Sequence, residues 1–258
     1  MTAMERAYLH RSERPPVAHP ARVPSGTPTF VAGARLEGVN PRAIDRDALV
    51  LRYPLRGRFR VRNSPADRVP SHGTDLMGTT YAIDLVPVDN RGRSAPWSWR
   101  ALVMTERTKG FIGFGAPVFA PRSGTVVIAH DGELDHEARR SQLMLISYLV
   151  GQPKRLRGGA GVIAGNHVVI AVGSNGPFVL LAHLRSESLR VRVGDSVAVG
   201  QEIGQCGNSG NSTQPHVHVQ VTDTVDWSRA RGMPLAFVGA QGVELPSGAH
   251  LVVAPGVQ

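Results

Sequence analysis

The chain has 258 residues, of which 29 are glycine and 19 proline, and only 5% are aromatic. This composition favours short strands and tight turns over long helices, and a hydrophobic content of 41% is enough for a core. Its net charge of +9 favours polyanions in general, but no run of like charge indicates a specific nucleic-acid site. A single cysteine excludes an intrachain disulfide. No stretch approaches the roughly 18 apolar residues of a membrane span.

The first half of the chain predicts an extended arm followed by strands. Residues 1–45 are rich in Pro, Arg and Ala and form the arm, and the amino terminus lacks the apolar segment of a signal peptide. Alternating apolar residues then predict strands at 48–57, 58–65 and 81–88, and a pair of strands within 115–130.

The second half predicts one helix and then more strands. Residues 134–150 have a helical pattern that Gly151 and Pro153 end, within an insertion at about 132–160. Further strands are predicted at 167–172, 178–184, 189–193, 196–199 and 216–221, and the tail is expected to pack back on the sheet. Residues 46–258 are therefore predicted to form one all-β, antiparallel domain with a helical insertion.

The pair His216 and His218 lies on a predicted strand, where side chains two apart point the same way about 6.6 Å apart. The intervening Val217, with Val219 and Val221, forms an apolar face that is expected to be buried. Two imidazoles on the other face can reach one metal ion, although a short motif of this kind also arises by chance on solvated strands.

Three other residues are candidates for the same site. His183 ends an apolar strand, and His72 stands in a turn just after Pro70. Asp84 is a carboxylate inside an apolar strand, where it costs several kcal/mol unless it pairs with a cation or a metal. A salt bridge to an arginine is the alternative explanation of Asp84.

Four blocks of sequence resemble, in order and content, those of the lysostaphin-type (LytM-like) peptidoglycan endopeptidases. They are SHGTDLMGTTYAID, GAPVFAPRSGTVV, LLAHL and VRVGDSVAVGQEIGQCGNSGNSTQPHVHV, and the resemblance covers about residues 50 to 240. It implies a small, strongly twisted antiparallel sheet of the barrel-sandwich-hybrid type, with the site in a groove across its face.

The resemblance also implies an activity and its residues. His72, Asp84 and His218 would bind Zn²⁺, and His183 and His216 would be the catalytic histidines beside it. The expected function is a zinc metalloendopeptidase that hydrolyses peptide cross-links of peptidoglycan with a metal-activated water. We assign His216 to the water and His183 to the developing oxyanion, although the sequence does not fix which histidine does which.

The position of the aspartate departs from the compact motif of that family, which is His-x-x-x-Asp. Asp75 follows His72 by three residues and Asp84 follows it by twelve. A family variant that ends in Tyr-Ala-x-Asp fits better, and a strand would hold Asp84 rigidly, so we favour Asp84. The zincin motif is absent, because His136-Glu137 is not followed by a second histidine at the required spacing.

Several alternatives stay open at this stage. A non-catalytic member of the same fold could bind cell wall or a partner. A lipoyl-type carrier needs a lysine where Gly194-Asp195 stands, and a phosphate-carrying sugar-uptake domain would not need Asp84.

Cys206 is expected to be a buried filler rather than a nucleophile, and Trp97 and Trp99 are expected to be partly buried by packing. The resemblance implies a cell-envelope or secreted protein, whereas the sequence read literally implies a cytoplasmic one. The bond cut, the substrate (a peptidoglycan peptide or another amide), export and oligomeric state are not determined by the sequence.

Overall fold

The structure is a computed structural model, and it describes residues 45–97, 99, 104–139, 160–248 and 250–254. Over these ranges it is nearly all β. The strands are β1 Leu49–Arg52, β2 Gly57–Arg62, β3 Ile83–Pro87, β4 Pro117–Phe119, β5 Gly124–His130, β6 Asn166–Ala171, β7 Phe178–Leu184, β8 Ser196–Val197, β9 Glu202–Gln205, β10 Val217–Thr222, β11 Leu235–Gly239, β12 Gly242–Glu244 and β13 Leu251–Ala254. Helix α1 spans Ala160–Ala164, and 3-10 turns span Leu76–Tyr81 and Thr108–Gly110.

Eight strands form the main sheet in the order β13-β2-β3-β10-β7-β6-β5-β8, and every neighbouring pair is antiparallel. A three-stranded sheet has the order β1-β11-β12, in which β1 and β11 are parallel, and β4 pairs with β9. Apolar residues at alternate positions of the main sheet point to one side, where they form the core with the smaller sheets. The fully buried members of this core include Phe59, Val61, Ile83, Leu85, Ile170, Leu181, Val217, Val219 and Phe237.

The register of the central strands builds one row of residues across the other face. His218 on β10 lies opposite Asp84 on β3 and opposite Ala182 on β7. Asp84 in turn lies opposite Arg62 on β2. Directly opposite residues of an antiparallel pair project to the same face with Cβ atoms about 4.5–5.5 Å apart, so this face gathers polar groups from distant parts of the chain.

The predicted all-β class is confirmed, and the tail does pack back on the sheet, since β13 pairs with β2. The strand predicted at 189–193 is wrong. There the backbone is held irregularly, with the amide of Arg190 bonded to the Ile203 carbonyl and the amide of Leu189 to Asp131. Strands β9, β11 and β12 and helix α1 were not predicted.

The helical insertion is not confirmed. Residues 134–139 contain no helix, and Ala138 forms a β-bridge with Glu106. Asp135 accepts the Asn208 amide at 2.6 Å and His136 bonds the Gly210 carbonyl at 2.8 Å, so contacts with a distant loop outweigh the local helical pattern. Residues 140–150 of the predicted helix, and residues 1–44 of the predicted arm, lie outside the described residues. Among the described helices, none has the length and apolar character that crossing a bilayer requires.

Candidate metal centre

Three side chains from distant segments converge on the outer face of the main sheet. His72 comes from the turn before the first 3-10 segment, Asp84 from β3 and His218 from β10. One donor atom from each lies within 4.8 Å of the other two. His72 Nε2 is 3.3 Å from Asp84 Oδ1, and His218 Nδ1 is 2.9 Å from the same oxygen. Two imidazoles and a carboxylate at this spacing match the donor set of a divalent metal site.

The hydrogen bonds around His72 orient its ring so that one nitrogen faces Asp84. The Ser71 hydroxyl donates to the Thr79 carbonyl at 3.2 Å, so Ser71 Oγ accepts from His72 Nδ1, 3.0 Å away. With a metal on Nε2, the ring proton would be on Nδ1, where Ser71 Oγ accepts it. Nε2 faces Asp84 and is the nitrogen that would bind the metal.

Gln220 fixes His218 in the same way. The Gln220 amide nitrogen donates to the Met77 carbonyl at 2.9 Å, which places Oε1 toward His218 Nε2, also at 2.9 Å. Because Oε1 can only accept, a proton on Nε2 makes this bond, which leaves Nδ1, on the side of Asp84, as the nitrogen that would bind a metal. A supporting hydrogen bond of this kind is typical of histidines that bind metals.

Asp84 is buried, and its second oxygen accepts a hydrogen bond from the Asn63 side chain at 2.7 Å. Burial by itself would raise the pKa of Asp84, but the charge of His216 and hydrogen bonds with His216, His218 and His72 outweigh it and hold that pKa well below its usual range. The carboxylate is therefore ionised. A buried anion surrounded by imidazole nitrogens is the environment that a bound cation would stabilise.

His183 and His216 lie beside the three converging residues, with ring centroids 4.7 Å apart. His216 Nε2 is 3.6 Å from Asp84 Oδ1, and the His183 ring is 5.9 Å from that of His218. His183 Nδ1 donates to the Ser209 carbonyl at 3.0 Å and His216 Nδ1 to the Gln214 carbonyl at 2.8 Å. In both rings Nδ1 is therefore occupied, and Nε2 is the nitrogen that can exchange a proton or a hydrogen bond with a water or substrate.

The two histidines differ in basicity. Burial, reinforced by the charges of His216 and His218, holds the pKa of His183 well below its ordinary value. Burial also acts to lower the pKa of His216, but the Asp84 charge and hydrogen bonds with Asp84 and Gln214 raise it above the ordinary value. His183 is therefore neutral near pH 7, and His216 is the better proton acceptor of the two.

The structure thus brings together all five residues selected from the sequence. Asp75 is not among them, because it is exposed and accepts a hydrogen bond from Thr80 at 3.0 Å. The supporting residues Ser71, Asn63 and Gln220 were not predicted. Only Gln220 had a usable signal, since it shares the polar face of β10 with His218.

Two further sequence-based expectations have clear outcomes. Cys206 is fully buried in the core, and burial raises the pKa of its thiol, so the filler interpretation is confirmed. The expected packing of the tryptophans is wrong, because Trp97 is 76% exposed and Trp99 is 62% exposed. Trp97 instead lines a cleft that also contains Asp84 and His216.

These features define an all-β protein with a candidate divalent-metal centre of two histidines and one aspartate. Its sequence matches Peptidase family M23 over residues 154–229, and this confirms the resemblance stated above for that stretch. The matched stretch contains His183, His216 and His218, whereas His72 and Asp84 precede it. No curated protein matches the chain.

Two solved structures illustrate the likeness. The catalytic domain of the prophage-encoded M23 protein EnpA from Enterococcus faecalis is 19% identical, with a TM-score of 0.34 over 59% of this chain and 73% of that one. The catalytic domain of the antimicrobial peptidase lysostaphin from Staphylococcus simulans is 20% identical, with a TM-score of 0.34 over 62% of this chain and 80% of that one.

Proposed function

We propose that the protein is a zinc-dependent peptidase that hydrolyses peptide cross-links of bacterial peptidoglycan, with His72, Asp84 and His218 as the metal ligands. The observation that carries the proposal is the orientation of the donors. One nitrogen from each of two imidazoles and an oxygen of an ionised carboxylate lie within 4.8 Å of one another, and each side chain is held from behind by a hydrogen bond.

Zinc suits this donor set, because histidine nitrogen and carboxylate oxygen are its ordinary ligands. Three protein ligands leave a fourth position for water or substrate, as in catalytic rather than structural sites. When bound, zinc would supply Lewis-acid polarisation of the scissile carbonyl and increase the acidity of water.

His216 is the residue we assign to proton transfer. Its Nδ1 is anchored on the Gln214 carbonyl, so its Nε2 can accept a proton from the attacking water and return it to the leaving amine. Its raised pKa favours this role near neutral pH. The carboxylate of Asp84, 3.6 Å from Nε2, would stabilise the imidazolium that forms.

His183 receives a different role from the one that the sequence alone suggested. Stabilising an oxyanion needs an N–H at Nε2, but neutral His183 carries its proton on Nδ1, toward the Ser209 carbonyl. We therefore assign His183 to accepting a hydrogen bond that orients the water, rather than to the oxyanion.

The test combines metal content with a digestion. Purified protein should hold one equivalent of zinc, and His218→Ala should lose it while His250→Ala, an exposed histidine, should keep it. Zinc-loaded protein incubated with purified peptidoglycan should release new amino groups, and a chelator should abolish the release. Zinc binding without any new amine would contradict the peptidase and favour a non-catalytic, wall-binding role.

A further inference from the structure

The candidate metal centre lies where two chemically unlike clefts meet. One cleft, of about 580 Å³, contains Asp84 and His216 and is otherwise lined mainly by arginines, polar groups and Trp97. The other, of about 430 Å³, also contains Asp84 and His216, and its remaining walls include Leu180, Ile163 and Trp227. We call them the basic cleft and the apolar cleft.

The sheet register explains why arginines line one side of the centre. Phe59 and Val61 of β2 point into the core, so Arg60 and Arg62 point to the outer face. Arg62 is the direct cross-strand neighbour of Asp84. The row of arginines therefore begins beside a proposed metal ligand and runs away from it along β2, where Arg60 lies opposite Leu251 of β13.

Part of this positive charge has no counter-charge within the described part of the chain. Arg93 pairs with Asp89 at 2.9 Å, and Arg60 donates to the Gly92 carbonyl at 3.0 Å. Arg62 and Arg91 are both exposed and line the basic cleft, and no carboxylate among the described residues pairs with either. Asp84 is the only acidic group of that lining among the described residues, and the histidines already engage it.

Guanidinium groups with free N–H donors bind carboxylates through paired, charge-assisted hydrogen bonds. The apolar cleft offers nothing comparable, since the described residues that line it include no arginine or lysine. An extended chain that crosses the metal centre would therefore meet cationic donors on one side of the scissile bond and uncharged walls on the other.

We propose that the substrate peptide carries carboxylates on one side of the cleaved bond, bound by Arg62 and Arg91, and uncharged groups on the other side. This inference rests on the proposed function, whose site it extends. It gives Arg62 and Arg91 a role in substrate specificity, and it orients the substrate relative to the metal.

The test measures binding with turnover blocked. The probe is the mixture of soluble peptides released from peptidoglycan by a muramidase, either native or with its carboxylates converted to methylamides. Titration calorimetry on zinc-loaded His216→Ala protein should show that native peptides bind about tenfold more tightly than methylamidated peptides. A difference of this size is expected for two partly exposed ion pairs. The preference should shrink as salt is added.

Two variants in the same background decide whether the arginines are responsible. The double variant Arg62→Gln/Arg91→Gln should bind native and amidated peptides equally. Arg192→Gln, which removes the same kind of charge from an exposed turn, should keep the full preference. Equal binding of the two peptide mixtures by the parent protein, or an unchanged preference in the double variant, would overturn the inference. Stronger competition by inorganic polyphosphate than by native peptides would also overturn it and assign the cleft to a phosphate polymer.

Failure of this inference can be told apart from failure of the proposed function. Arginine-dependent binding without release of amines would support the carboxylate site and contradict the peptidase. Release of amines with the same kcat/KM from native and amidated peptidoglycan would support the peptidase and contradict the carboxylate site.

Discussion

The two faces of β3 and β10 are built by the same alternation but have opposite chemistry. The inner face carries Ile83, Leu85 and Val219, which pack without solvent exposure in the core. The outer face carries Asp84 and His218, which hydrogen-bond each other at 2.9 Å. Neighbouring residues of one strand therefore contribute separately, one to the stability of the sheet and the next to the proposed metal centre. Substitutions that affect only one of these properties test that separation.

The largest effect is expected for Asp84→Asn, which keeps the shape of the side chain and removes its charge. Zinc affinity should fall by more than about 100-fold, since loss of a ligand exceeds the 10–100-fold effect of losing a supporting partner. Titration with a competing chelator would measure it. The circular dichroism spectrum should be unchanged, and a variant that kept wild-type zinc affinity would contradict the assignment of Asp84.

Leu85→Ala, one residue along the same strand, should have the converse effect. Truncation of a fully buried leucine costs about 2–5 kcal/mol of the free energy of unfolding. Denaturant unfolding of the metal-free protein would measure the loss. The folded fraction should still bind zinc with the parent affinity, and a parallel loss of zinc affinity would mean that the two faces are not independent.

Gln220→Ala should show a smaller effect on the outer face. His218 would lose the acceptor that orients its ring, and zinc affinity should fall by about 10–100-fold. Gln220→Glu keeps an acceptor oxygen and should recover part of the affinity. If alanine and glutamate were equivalent, orientation of His218 through Nε2 would not be the function of Gln220.

The smallest effect concerns His167, an outer-face histidine of β6 that stacks on His130. Burial lowers the pKa of His167, aided by His130 and opposed by the Gly165 carbonyl. The unfolded chain therefore binds more protons below about pH 6.5, so the free energy of unfolding should decrease as pH falls through that value. His167→Gln should lose less stability between pH 7 and pH 5 than the parent does, as measured by urea unfolding at each pH. An unchanged or steeper loss would contradict this sign.

The sequence predicted the features that depend on neighbouring residues. Alternation in 216–221 placed the two histidines on one face, and an apolar strand around Asp84 marked its carboxylate as unusual. The relation of His72 to Asp84 came from the resemblance and not from periodicity. Ser71 and Asn63 were not predicted, because no local sequence pattern distinguishes them from other polar residues. The helix at 134–150 was predicted from a pattern that could not include the bonds of Asp135 and His136 with residues 208–210.

The cross-strand row of Arg62, Asp84 and His218 also limits where residues can be inserted into or deleted from the chain. His72 and Asp84 are twelve positions apart, and most of the intervening residues lie in turns, where insertions alter no pairing. A deletion of one residue inside β3 would instead rotate every following side chain to the opposite face, because the strand repeats every two residues. The carboxylate would then face the core and a leucine the solvent, so length variation is expected between these two ligands and not within the strand.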